Sequence, residues 1–136
     1  GMSSEAEVRQ TISFLQEGRA QFVLLHCNST YPAPINELNL SGLKTLQAEY
    51  PDFEIGYSGH EFRLGTTVAA VYLGASIIER HITLDRQMWG SDHLASVEPQ
   101  GLFKLVSGIR ELEEAFGDGV IRVTESEKPV RAKLRG

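Results

Sequence analysis

Three stretches of this sequence pass abruptly from apolar residues to ionisable ones, and they hold most of its candidate chemistry. They read HCNSTYP (residues 26–32), GYSGHE (56–61) and ERHITLD (79–85). Each contains a histidine, which is the commonest metal ligand among side chains and also exchanges protons near neutral pH. Three such endings favour one shared polar site over three unrelated surface features.

Spacing within these stretches indicates which side chains share a face. Residues two apart in a β-strand point to the same side, so Glu79 aligns with His81 and Ser58 aligns with His60. A buried carboxylate needs a partner, which a divalent metal or an orienting hydrogen bond to an imidazole would supply. From the residues alone, two interpretations stay open for His60 and His81: metal ligands or hydrogen-bonded structural side chains. His26 is interpreted as structural.

The elements that must position these residues alternate along the chain. Ser4 and Glu7 have the spacing of a capping box, and apolar residues at helical spacing follow until Gly18. Further helices are predicted around 40–49, 64–73 and 99–117. Apolar strands covered on both faces are predicted within QFVLLHC (21–27), DFEIGYSGHE (52–61) and SIIERHI (76–82).

This order of elements predicts an α/β fold with parallel strands joined by right-handed crossovers. The carboxyl ends of parallel strands lie at one edge of the sheet, where α/β proteins place their chemistry. Three such strands need neighbours at both edges, and a complete (β/α)8 barrel takes about 250 residues. We therefore expect the chain to be part of something larger, with the weakly patterned segment 118–136 as a basic tail or linker.

Composition excludes several classes of protein. The 136 residues are 41% hydrophobic and carry a net charge of −5, which is typical of a globular domain and argues against a nucleic-acid-binding surface. No apolar run approaches the ~20 residues that span a bilayer, and residues 1–10 lack the apolar core of a signal peptide. Cys27 is the single cysteine, so no intrachain disulfide can form, and we expect a cytoplasmic protein without a membrane partner.

Three longer motifs together resemble the sialic acid synthase family. They are HCNSTYPAP (26–34), EIGYSGHE (54–61) and IIERHITLDRQMWGSDHLASVEP (77–99), of which the last is the most specific. Members of this family condense phosphoenolpyruvate with an N-acylmannosamine-type sugar and release phosphate. The resemblance implies the C-terminal portion of a (β/α)8 TIM barrel, with about three parallel strands and four helices. It also implies a partial barrel domain over 1–117 and a tail or linker over 118–136 toward an absent C-terminal domain.

The resemblance further implies a metal site. The metal-binding histidines of the family correspond to His60 and His81. The expected ion is Mn²⁺, with Mg²⁺ or Co²⁺ as alternatives, and it would act as a Lewis acid on the aldehyde of the sugar. Because Glu79 shares a face with His81, we expect it to orient that imidazole and so to assist catalysis.

Four positions correspond to substrate contacts in the family. Ser58 and Ser29 match contacts to phosphoenolpyruvate, although many members carry asparagine at the position of Ser29. Tyr31 and Asp92 match residues that contact the amino sugar. Asp92 would also assist proton transfer as a catalytic residue.

The sequence departs from the family by what it lacks. Phosphate-binding lysines and an acidic residue belong to the N-terminal half of the family's barrel, and an arginine belongs to its C-terminal domain. Three hypotheses therefore stay open: a synthase fragment, a non-catalytic metal- or sugar-binding remnant that self-assembles, and a metal-dependent aldolase or isomerase. The motif WGSDH (89–93) argues against the third. Open strand edges predict a homo-oligomer.

Overall fold

Helices and strands alternate along the chain, as the sequence predicts. The computed structural model describes all of residues 1–136. The elements are α1 (Glu5–Glu17), β1 (Leu24–Cys27), α2 (Gly42–Glu49), β2 (Ile55–Gly59), α3 (Gly65–Tyr72), β3 (Ile77–Arg80), α4 (Pro99–Ala115) and α5 (Glu127–Arg135), with short 3₁₀ turns at Ile35–Glu37 and His93–Ala95. The first four helices are those predicted, whereas α5 lies in the segment predicted to be a weakly patterned tail.

The helix ends form where local signals place them. The Ser4 amide donates a 2.7 Å hydrogen bond to the Glu7 carboxylate, and α1 ends at Gly18. Pro99 occupies the first turn of α4, with Glu98 as the N-cap residue. The longest helix, α4, has 17 residues, and no helix of the chain combines the length and apolar character needed to cross a membrane.

The sheet is parallel, with β2 between β1 and β3. Cys27 pairs with Ser58, Ser58 pairs with Glu79, and Gly59 pairs with Arg80. The polar residues that end the three strands therefore lie side by side at one edge of the sheet.

Alternation along the strands gives the sheet two faces. One face packs against α2 and α3, and we call it the covered face. Its core consists of Leu43, Ile55, Tyr57, Ala70 and Ala75. The opposite face, which carries the side chains of Cys27, Ser58 and Glu79, has no helix of this chain packed on it, and we call it the open face.

Burial separates the middle strand from the outer ones. All five residues of β2 are buried, β1 is half-buried throughout, and Glu79 in β3 is exposed. The sequence pattern calls for cover on both faces of every strand, and within this chain β1 and β3 lack part of that cover, as expected for part of a larger fold. Each outer strand has a neighbouring strand on one side only. Helix α5 has no buried residue at all.

Candidate active site

The candidate site lies on the open face, at the carboxyl ends of the strands. The Ser58 and His60 side chains contact each other at the end of β2, and Glu79 reaches them from β3. Tyr31, in the loop after β1, lies beside both imidazoles, with ring centroids 4.3 Å from His60 and 5.3 Å from His81. The predicted sharing of one face is confirmed for Ser58 with His60 and for Glu79 with His81.

His60 is held in one tautomer. Its Nδ1 lies 2.7 Å from the backbone carbonyl oxygen of Asn28. Because a carbonyl oxygen can only accept, Nδ1 carries the proton and the neutral ring keeps its lone pair on Nε2. This Nε2 lies 3.2 Å from Ser58 Oγ and 3.4 Å from Tyr31 Oη. His60, only 4% exposed, therefore presents a nitrogen that can bind a metal or accept a proton.

Ser58 directs its single proton elsewhere. Its hydroxyl donates a 2.7 Å hydrogen bond to Glu79 Oε1. Since a hydroxyl donates only once, this bond leaves the lone pair on His60 Nε2 free of the Ser58 proton. The expected contact between Glu79 and His81 does not form, because the strand register places Ser58 directly opposite Glu79. The prediction that Glu79 orients His81 is therefore wrong in this structure.

Asp92 is the carboxylate beside His81. It lies in the loop between β3 and α4, and its Oδ2 is 3.5 Å from His81 Nδ1. This loop returns to the strand end, because the Val97 amide donates a 2.7 Å hydrogen bond to the His81 carbonyl. The sequence predicted both residues in the site but not their pairing.

The spacing of the two histidines fits one shared metal ion. The ring centroids of His60 and His81 lie 5.1 Å apart, with the rings inclined by 74°. Two imidazoles that bind one ion through nitrogens at about 2.1 Å have ring centroids roughly 5 Å apart. No group of three or more His, Cys, Asp or Glu side chains converges in the chain. The chain thus presents a pair of imidazole donors, with Asp92 beside one of them.

A second cluster on the covered face was not predicted. Glu61 and Arg80 directly neighbour His60 and His81 in sequence, but their side chains point to the opposite face. Arg80 Nη1 lies 3.1 Å from Glu61 Oε1, with the two side chains 2% and 0% exposed. The Tyr57 hydroxyl donates to Glu61 Oε2 at 2.9 Å. The only sequence signal for this cluster was that a charged residue adjoins each histidine, in GHE and ERH, which does not show that the two charged residues meet.

The surroundings of this pair keep it ionised. Burial acts to raise the pKa of Glu61, but hydrogen bonds from Thr66 and Thr67 and the charge of Arg80 outweigh it and lower that pKa. Burial lowers the pKa of Arg80, and the Glu61 charge opposes this shift. Burial, followed by the Glu61 charge, raises the pKa of Tyr57. At neutral pH the cluster is a buried carboxylate–guanidinium pair with a neutral phenol.

Two further residues, Cys27 and Ser29, lie near the site. Cys27 Sγ lies 3.5 Å from His60 Nδ1, a contact that the sequence did not suggest. The Ser29 hydroxyl lies 3.7 Å from this thiol and forms no hydrogen bond with the histidine pair. His26 is structural as predicted, because its Nε2 lies 2.8 Å from the Leu38 carbonyl on the covered side.

Comparisons with known proteins indicate the family of the chain. A family model described as the NeuB family matches residues 1–121. The N,N'-diacetyllegionaminic acid synthase of Campylobacter jejuni is 40% identical over 131 residues, which are 94% of this chain and 39% of that protein. The N-acetylneuraminate-9-phosphate synthase of Homo sapiens is 40% identical over 134 residues, which are 98% of this chain and 37% of that protein.

A solved structure extends the comparison to the fold. The N-acetylneuraminic acid synthetase of Leptospira borgpetersenii, in complex with citrate, matches with a TM-score of 0.82 and 37% identity, over 99% of this chain and 48% of that one. This match confirms the predicted fold class, an α/β portion of a TIM-type barrel. The chain spans about two fifths of the length of the curated relatives it matches. Because the family model covers most of its residues, this chain belongs to the NeuB family.

Proposed function

We propose that this chain contributes the metal-binding residues of the active site of a sialic-acid-type synthase. Its relatives are synthases of legionaminic and sialic acids, which supports a sugar acid synthase in general. The proposed reaction joins phosphoenolpyruvate to N-acetylmannosamine, or to a related or phosphorylated sugar, and releases phosphate. The observation that carries the proposal is the His60–His81 pair, 5.1 Å between centroids, with the His60 tautomer set by Asn28.

The histidine pair would serve the electrophilic half of the reaction. A divalent ion such as Mn²⁺, bound to both imidazoles, would supply Lewis acid chemistry to the aldehyde oxygen of the sugar. The Asn28 carbonyl keeps the His60 Nδ1 protonated, so that Nε2 remains the ligating nitrogen. Asp92 sits 3.5 Å from His81 Nδ1, where it can hold that ring in place.

The remaining open-face residues would bind the two substrates. Tyr31 is exposed and Asp92 half-exposed, so both can reach a sugar above the sheet, and Asp92 can accept its hydroxyl protons. Ser58 and Glu79 form a hydrogen-bonded pair whose negative charge would steady positive charge that develops on the enol carbon. Ser29 is the further proposed contact to phosphoenolpyruvate, and it lies beside Cys27, which in turn contacts His60. A reducing cytoplasm, where Cys27 stays a thiol, is the proposed setting.

A calorimetric Mn²⁺ titration of the purified chain tests the metal site. We expect micromolar binding that is lost in both His60→Ala and His81→Ala. His26→Gln is the matched control, because His26 belongs to the covered face, and it should bind as the unaltered chain does. Binding that survives either alanine substitution, or a folded chain that binds no Mn²⁺, would overturn the proposed metal site.

The open strand edges favour a second candidate, a metal- or sugar-binding chain that self-assembles without catalysis. Each outer strand has one neighbour, and Ile82 and Leu84 just beyond β3 are 70% and 83% exposed. Phosphate release from phosphoenolpyruvate in the presence of N-acetylmannosamine separates the two candidates. Product formation supports the synthase. Metal binding without product, together with an oligomer in sedimentation, supports the second candidate.

A further inference from the structure

The buried Glu61–Arg80 pair lies one residue away from each histidine of the proposed metal site. His60 and Glu61 are adjacent at the end of β2, and Arg80 and His81 are adjacent at the end of β3. The two side chains of the pair face away from the site, so neither can bind metal or substrate there. They can, however, fix the two backbone segments that carry the histidines.

Arg80 joins four parts of the chain through its guanidinium group. Nη1 donates to Glu61 Oε1 at 3.1 Å, to Thr67 Oγ1 at 2.8 Å and to the Arg63 carbonyl at 3.2 Å. Nη2 donates to the Glu61 carbonyl at 2.6 Å and to the Ala95 carbonyl at 3.3 Å. These partners belong to the end of β2, the loop after it, the first turn of α3 and the loop before α4. A lysine ammonium, a single donor point, cannot reach all of them at once.

Stability alone is a weak explanation for this arrangement. A buried ion pair is often no better than apolar residues of the same volume, because both charges lose their hydration. Arg80 also keeps its Nε buried without a hydrogen-bond partner, which an apolar side chain would avoid. In addition, the guanidinium fixes the end of β3 relative to the end of β2 and to the loop before α4. Metal sites tolerate ligand displacements of only about 0.2 Å, so this fixed position matters at His60 and His81.

We propose that Glu61 and Arg80 are positioning residues for the site on the opposite face. Their contact sets the separation of His60 and His81, and the Ala95 contact holds the loop that places Asp92 beside His81. The role in metal binding rests on the proposed function above, whereas the role in holding the loop does not.

Arg80→Lys tests the metal part, because it keeps the charge and removes the multiple contacts. We expect its dissociation constant for Mn²⁺, measured by calorimetry on the folded chain, to rise at least about tenfold. Leu43→Ala is the control: it makes a cavity in the core of the covered face, in α2, without touching the strand ends. The control should bind Mn²⁺ within about twofold of the unaltered chain. An unchanged Arg80→Lys affinity, or an equal loss in both variants, would refute positioning.

Amide hydrogen exchange tests the loop part without any metal. The Val97 amide bonds the His81 carbonyl, and the Thr83 amide bonds the Val97 carbonyl at 3.0 Å. In Arg80→Lys both amides should exchange at least about tenfold faster, while the amides of α2 keep their rates. Unchanged exchange at both positions would overturn the proposal even if no Mn²⁺ binds. Should Arg80→Lys fail to fold, Glu61→Gln, which keeps the shape of the side chain, decides by the same two measurements.

Discussion

The covered face and the open face are built from the same three strands, and each holds carboxylates beside basic side chains. On the covered face, the Glu61 carboxylate accepts hydrogen bonds from Arg80, Tyr57, Thr66 and Thr67, all within this chain. On the open face, Glu79 accepts one bond from Ser58, and Asp92 lies 3.5 Å from His81. One set of charges is enclosed and nearly saturated, while the other is exposed and still able to accept ligands.

This difference shows how the two faces of one sheet can have different roles, one fixing the geometry and the other binding ligands. Residues two apart share a face, so consecutive residues such as His60 and Glu61 contribute to opposite faces. Enclosed, saturated groups have little capacity left for a ligand, but they fix geometry. Open-face groups with free lone pairs can bind a ligand, and we propose that the enclosed groups set the spacing of His60 and His81. The variants below break the two faces separately.

Removal of Arg80 should have the largest effect on stability. Arg80→Ala leaves the Glu61 carboxylate buried without its counter-charge, which typically costs about 3–5 kcal/mol. Glu79→Ala on the open face should cost about 0.5 kcal/mol or less, because Glu79 is exposed and Ser58 can donate to His60 Nε2, 3.2 Å away, instead. Urea unfolding followed by circular dichroism measures both. Equal losses would show that the two faces do not differ as described.

Gly59 provides a steric test of the covered face. A Cβ at this position would lie 2.9 Å from both Glu61 Oε2 and the Tyr57 ring, and 3.0 Å from Arg80 Cδ. Gly59→Ala should therefore destabilise the chain by about 1–3 kcal/mol through forced displacement of the pair. Gly65→Ala is the matched control, since a Cβ there meets nothing within 4 Å and helix α3 should gain about 0.5–1 kcal/mol. If Gly59→Ala left the free energy of unfolding unchanged, the Glu61–Arg80 pair would be less tightly packed than its contacts suggest.

The same contrast explains which features the sequence could predict. Strands and helices α1 to α4 follow from local periodicity and caps, such as Ser4 with Glu7 and Pro99, which need no tertiary information. The shared face of Ser58 with His60, and that of Glu79 with His81, follow from the period of two along a strand. These features are properties of short segments, and the structure confirms them.

The side-chain hydrogen-bond and ion-pair partners within the site could not be predicted, because they depend on the register between strands and on the path of a loop. Glu79 bonds Ser58 rather than His81, since β2 and β3 pair these two residues directly. Asp92 reaches His81 only because the intervening loop folds back through Val97. The Glu61–Arg80 pair was missed for the same reason: nothing local shows that two charged residues on separate strands meet on the buried side.

Acid should weaken the covered face in a defined pH window. The folded pKa of Glu61 lies below its ordinary value of 4.5, so the unfolded chain takes up the proton first as the pH falls. The stabilisation is fully present above about pH 5, and it is lost as the pH falls through the folded pKa. In Glu61→Gln the free energy of unfolding should be lower at neutral pH, and it should decrease less as the pH falls below about 5. Glu7→Gln is the control, because the Glu7 pKa is also lowered, by Ser4, but the side chain is fully exposed.

Asp92→Asn should give the smallest change in stability and test the open face through its charge. Asp92 is 49% exposed and 3.5 Å from His81, so loss of its charge should change unfolding by less than about 0.5 kcal/mol. Its negative charge beside a ligating imidazole should nevertheless strengthen metal binding, and we expect Mn²⁺ affinity to fall about tenfold. Asp85→Asn in the same loop is the control, because its carboxylate bonds only the nearby Gln87 amide, at 2.8 Å. A tenfold loss of Mn²⁺ affinity in Asp92→Asn but not in Asp85→Asn would show that the Asp92 charge supports metal binding while adding little to stability. Equal Mn²⁺ affinity in the two variants would instead remove Asp92 from the metal site and leave the two histidines as its ligands.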